Sequence, residues 1–140
     1  MVILGILLMI GTVLVAVFIM GGHLGYYLNL FAFVFVFFLP FFASMAVWKW
    51  KELTAAWAAP FAKTARNAGT AVKVWNFTEK MFYLSGLLGL LMGVVVVLAN
   101  LGTGGQEAVG AGIAVAFIAT IYSIFLGMLA RVFRERCSKG

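Results

Sequence analysis

Read from the N-terminus, the chain carries no charged side chain before Lys49. Forty-eight residues in one helix would span about 72 Å at about 1.5 Å per residue, more than twice a hydrocarbon core of about 30 Å. The stretch must fold back. Gly21-Gly22-His23-Leu24-Gly25 marks the place, with three glycines in five residues. Spans are therefore predicted at about residues 2–20 and 28–47. Residues 81–106 and 108–130 are uncharged as well, parted by the polar, glycine-rich turn Gly102-Thr103-Gly104-Gly105-Gln106-Glu107. These give two further spans, at about 81–101 and 109–130. The pattern predicts an all-α, four-helix transmembrane protein forming one membrane domain over residues 1–140.

Residues 48–80 read as a short interfacial segment. Trp48, Trp50, Trp57 and Trp75 suit the membrane–water boundary. Glu52–Trp57 reads as a short surface helix and 61–75 as a second, with Pro60 and Gly69 as breaks and Lys63, Arg66 and Lys73 on its wet side. Thr78-Glu79 resembles a helix start, with a carboxylate at the positive end of the helix dipole. The segment is either a connector or a docking surface for a cytoplasmic partner.

Charge sets the expected orientation. All ten Lys and Arg lie in this segment or in the tail, and neither glycine turn has one. By the positive-inside rule the segment and both termini face the cytoplasm. The net charge of +6 is then a topology signal, and no nucleic-acid partner is expected, because the charges hug span ends. A cleaved signal peptide is not expected either, since Met1-Val2-Ile3 offers no basic region.

Composition narrows the chemistry. With 65% hydrophobic and 10% charged residues, the chain is far from the soluble average of about 25% charged. The four acids are Glu52, Glu79, Glu107 and Glu135, and there is one Cys (Cys137) and one His (His23). No disulfide framework, zinc cluster or other metal site is expected, no cofactor, and no enzyme activity. His23 reads as a solvated loop residue, Cys137 as a free thiol, and Asn29 and Asn100 as backbone-bonding residues at span ends.

The spans differ in kind. Span two holds half of the Phe residues, spread around the helix, which suits lipid contact or loose packing. Ser85, Gly86, Gly89 and Gly93 lie on one face of span three. Gly112, Ala116, Thr120, Ser123 and Gly127 do the same on span four. Such seams allow close backbone approach in lipid. They pack three against four within the chain, or face a helix of another chain. An ion path usually needs an ionisable group in the membrane, and the spans supply only hydroxyls: Thr12, Ser44, Ser85, Thr120, Tyr122 and Ser123. Either the chain conducts nothing or the titrating group sits on a partner.

Residues 86–127, GLLGLLMGVVVVLANLGTGGQEAVGAGIAVAFIATIYSIFLG, resemble the last two spans of the MotA branch of the MotA/TolQ/ExbB family, the ion-driven rotary stators. The first turn, Gly21 to Gly25 with Asn29, is similar to that family's G-G-x-L-G-x-x-x-N, and Glu52-Leu53 to its step into a surface helix. The resemblance covers all but about residues 60–78. It implies a ring-shaped homo-oligomer, typically a pentamer, in the bacterial inner membrane. The ring would surround a pair of single-span MotB/ExbD/TolR-like partners whose Asp carries the proton, with spans three and four inward and one and two against lipid. The proton path on the inner ring face would then involve Leu90, Ala119, Thr120 and Ser123, with Tyr83 and Tyr122 closing it or merely packing between helices. Tyr83 replaces the family's Pro, Leu90 its path Thr and Ala119 the first of its Thr pair; the loss of oxygen ligands at Leu90 and Ala119 disfavours sodium and leaves protons possible. About 30 residues replace the large cytoplasmic domain of flagellar members, so direct torque on a flagellar rotor is not expected. A non-conducting scaffold of the same fold is the alternative reading, and a small four-span transporter a distant one.

Overall fold

The computed structural model describes residues 2–62, 68–101 and 105–139. Lys63, Arg66 and residues 102–104 of the second glycine turn lie outside them. The described chain is helical throughout, without strands: α1 (Val2–Ile19), the single turn α2 (Leu24–Tyr27), α3 (Leu30–Val47), α4 (Trp50–Ala58), a 3-10 turn (Ala59–Phe61), α5 (Ala68–Asn100) and α6 (Gln106–Ser138). Three helices, α3, α5 and α6, include stretches long and apolar enough to cross a membrane, and α1 is a shorter apolar helix.

Local chemistry sets the ends. Gly21 has φ +69°, the left-handed conformation that glycine adopts without steric cost and that closes a helix. Asn29 caps α3, its side-chain oxygen accepting the Ala32 N–H at 3.0 Å. Glu107 sits in the first turn of α6, where the helix dipole favours a carboxylate.

The body is an antiparallel pair, α5 against α6, with α3 laid across it and α4 folded beneath. Helix α5 differs from the sequence reading, which placed one helix at 61–75 and a new start at Thr78-Glu79. It runs unbroken for 33 residues, because nothing between Gly69 and Gly86 interrupts a helix. The Thr78 hydroxyl donates to Val74 O at 2.9 Å, which is an interior helix pattern and not a cap. At about 1.5 Å per residue α5 and α6 are each about 50 Å long, so both project past a hydrocarbon core of about 30 Å.

Helix α3 is also more ordered in its faces than its Phe content suggested. Ala32, Val36, Pro40 and Ser44 recur every fourth residue and are its buried edge. The Phe rings take the remaining surface and stack on one another, Phe33 on Phe37 at 5.6 Å for example. Pro40 has no N–H to give Val36 O. The Ser85 hydroxyl of α5 lies 3.4 Å from that carbonyl while donating to Phe82 O at 2.8 Å, so a neighbouring helix helps satisfy the freed group. One level down, the Ser44 and Thr78 hydroxyls meet at 3.2 Å.

Helix α1 stands apart. No described residue of α1 is buried, and Phe18 is 84% exposed. The connection between α1 and α3 is tied to the body by Tyr122 on α6. That hydroxyl donates to Tyr27 O and accepts the Asn29 N–H.

Candidate ion path and helix seam

The small residues of α5 and α6 face each other. A Cβ on Gly86 would lie 1.8 Å from Ser123 Oγ, and one on Gly89 2.8 Å from Ala119 Cβ. At Gly93 it would meet Ala116, 2.4 Å from Cβ and 2.9 Å from Cα. Gly112 abuts Val97 and Gly127 abuts the Tyr83 ring, at 2.8 and 2.6 Å by the same measure. The seam therefore closes within the chain. Contacts this near bring the two backbones together, and dispersion then replaces the hydrophobic drive that lipid does not supply.

This register decides where the candidate path residues fall. Ala119 and Ser123 are each 2% exposed and lie inside the seam. Thr120 and Leu90 are half-buried, and Tyr83 is exposed with its ring over Gly127. The five residues do not form one wall. Among the hydroxyls, Thr120 donates to Ala116 O at 3.0 Å, Ser123 to Thr120 O at 2.8 Å, Ser44 to Pro40 O at 2.8 Å and Thr12 to Leu8 O at 2.8 Å. Each donor is spent on its own helix, which leaves oxygen lone pairs as the polar capacity of the spans. The outward face of α6 is Ile113, Phe117, Ile121, Ile124 and Met128, all exposed.

Ionic chemistry is concentrated where the two long helices leave the apolar region. Arg134 Nη1 donates to Glu79 Oε2 at 2.7 Å and to Asn76 Oδ1 at 3.0 Å, while Nη2 donates to Glu135 Oε1 at 2.9 Å. Glu79 is 7% exposed, so its charge is both paired and hydrogen-bonded, as burial demands. The Arg134 hydrogen bond holds the Glu135 carboxyl below the ordinary carboxylate range. Burial pushes the Cys137 thiol up, which keeps it protonated and unreactive.

The Glu79–Arg134 pair was not anticipated from the sequence. Its signal was present in the seam register, since Gly86 against Ser123 and Gly93 against Ala116, continued two turns, carry Glu79 towards the Arg131–Arg134 turn. Below it sit Trp57, Trp75, Phe61 and Phe133, with Trp75 on Phe133 at 4.8 Å and Trp75 Nε1 donating to Ala56 O at 2.9 Å. Among the described residues no group of three His, Cys, Asp or Glu side chains is placed to hold a metal ion.

A family model described as the MotA/TolQ/ExbB proton channel family matches residues 51–139. That range takes in α4, α5 and α6, including the 60–78 stretch that the motif comparison left out, and stops short of the first glycine turn. No curated protein and no solved structure matches the chain.

Proposed function

The chain belongs to the MotA/TolQ/ExbB proton channel family, and on that premise we propose that it is the ring subunit of a proton-driven, stator-like or energy-transducing complex in the bacterial inner membrane. In this reading several copies, five in the simplest case, enclose a single-span partner dimer of the MotB/ExbD/TolR kind. The observation that carries it is the distribution of ionisable groups. Between Met81 and Ala130 the only charged side chain is Glu107, in the first turn of α6 at the hairpin's tip. Proton transfer across a bilayer needs a titrating group at depth, so the carboxylate comes from the partner. Around it this chain supplies a dry, rigid wall and a few oxygen acceptors, Thr120 foremost.

A second reading, a non-conducting scaffold of the same fold, is favoured by the apolar outward face of α6 and by Ala119 and Ser123 lying inside the seam. Co-expression with a single-span membrane protein that carries an Asp in its span, followed by proton-flux measurements in vesicles, separates the two. The motor reading expects a co-purifying single-span partner and a flux that falls at least tenfold on Thr120→Ala. Absence of flux from a stable complex supports the scaffold, and a monomer without a partner overturns both.

A further inference from the structure

A groove of about 250 Å³ lies where α4 folds back against α3, lined by Phe41, Trp50, Leu53, Thr54 and Trp57. Phe41 stands edge-on to both indoles, 6.4 Å from Trp50 and 5.9 Å from Trp57. The Thr54 hydroxyl is turned back onto the Trp50 and Lys51 carbonyls at 3.0 and 3.2 Å. The lining thus presents hydrocarbon and ring faces. Phe41 lies nearly two turns inside the end of α3, so the groove opens at the depth where acyl chains meet headgroups.

The residues on either side of the lining Trp50 are cationic. Lys49 and Lys51 flank Trp50 at the start of α4, and both are exposed. Among the described residues the ion pairs within 4.0 Å belong to Arg134, and neither of these lysines takes part in one. Glu52 accepts the backbone N–H of Lys49 at 3.2 Å, so two cations and one acid share the start of α4. An apolar groove next to a helix start of net positive charge, beside an exposed Trp, suits a molecule with long hydrocarbon at one end and phosphate at the other.

We propose that this groove holds an anionic phospholipid of the adjoining leaflet, its acyl chain against Phe41, Leu53 and Trp57 and its headgroup phosphate on Lys49 and Lys51. The inference rests on the chain's being a membrane protein and is independent of the ring and motor reading. A bound lipid would anchor α4 at the interface and fix the height of the α3–α4 corner.

The test uses the full chain in vesicles with brominated phosphatidylglycerol or brominated phosphatidylcholine, read by quenching of Trp fluorescence. The anionic lipid is expected to quench at a lower mole fraction. Lys49→Gln and Lys51→Gln should each reduce that preference by up to about fivefold, the size of one lysine's contribution near an anionic surface, whereas Lys139→Gln leaves it intact. Thr54→Phe, which fills the slot, should weaken quenching by both lipids. About 0.5 M salt should erase the preference in the unaltered chain by screening, a readout that does not depend on any variant folding. Equal quenching by the two lipids, or lysine variants that behave like the parent, overturns the proposal. An acidic soluble peptide that abolishes the preference while Thr54→Phe leaves quenching unchanged also overturns it, in favour of a protein partner.

Discussion

Helices α1 and α6 are both apolar along their membrane lengths, yet one is embedded in the fold and the other touches almost nothing. The difference is size, not hydrophobicity. Helix α6 presents Gly112, Ala116, Ser123 and Gly127 to α5, and each is buried. Helix α1 presents Ile, Leu, Val and Phe on all sides, and a Cβ on its Gly5 or Gly11 would meet no packed neighbour within 4 Å. In water the larger residues would win the core, at about 25 cal/mol per Å² of apolar surface removed. Where lipid surrounds every helix that gain vanishes, and the helices that pack are those whose backbones approach most closely.

The sharpest way to break this comparison is to place the same side chain in both regions. Gly93→Val, which drives its branched carbons into Ala116 and its backbone, should cost about 3 kcal/mol through overpacking. Gly11→Val should stay within about 0.5 kcal/mol. Unfolding by dodecyl sulfate titration in mild detergent, followed by circular dichroism, measures both. Equal costs would mean that α1 is packed after all.

A smaller effect is expected where the seam leaves the apolar region. Arg134→Ala strands the Glu79 carboxylate at 7% exposure. It should cost about 2 kcal/mol, below the range for fully buried pairs because the Arg134 side chain keeps 21% exposure. The same titration reads it, and Glu79→Gln in the Arg134→Ala background should recover part of the loss. The pH dependence has a definite sign. Glu135 is held below its ordinary value by Arg134, so its contribution is present above the ordinary carboxylate range and is lost as pH falls through the lowered value.

The smallest effect concerns the seam that the Phe residues concealed. Ser85→Ala removes the hydroxyl near Val36 O and should cost about 1 kcal/mol. Pro40→Ala restores an N–H to that carbonyl within α3, so the Ser85→Ala cost should shrink in the Pro40→Ala background. A double-mutant cycle with no coupling, the Ser85→Ala cost being the same in both backgrounds, would show that Ser85 serves only Phe82 O.

These contrasts also mark what was legible in the sequence. The seam could be read from residue type and spacing, because Gly86, Gly89 and Gly93 can share a face only on a helix. Its partner was left open, since small residues suit an internal contact and an external one equally well. The edge of α3 was hidden, because Val36 and Pro40 are not small residues and only their fourfold spacing connects them to Ala32 and Ser44. The continuity of α5 was misread for a physical reason: Thr-Glu satisfies the rules for a helix start, and only the position of Val74 O shows that the hydroxyl is spent inside a helix. The Glu79–Arg134 and Tyr122–Asn29 bonds join residues 55 and 93 positions apart, distances at which local pattern carries no information. Of the candidate path residues, the types were legible, and their distribution between the seam and its flanks was a matter of helix register.

The unbroken length of α5 has a mechanical consequence. A rod of about 50 Å that carries the charged clamp about a third of the way along, at Glu79, and ends at the opposite tip of the hairpin behaves as a lever, with no joint at which motion is absorbed. Pivoted at one end, a tilt of about 10° would sweep the other through about 9 Å, by the same rise per residue, carrying α6 with it along the whole seam. Displacement within the bilayer and displacement of the charged clamp are thereby one movement.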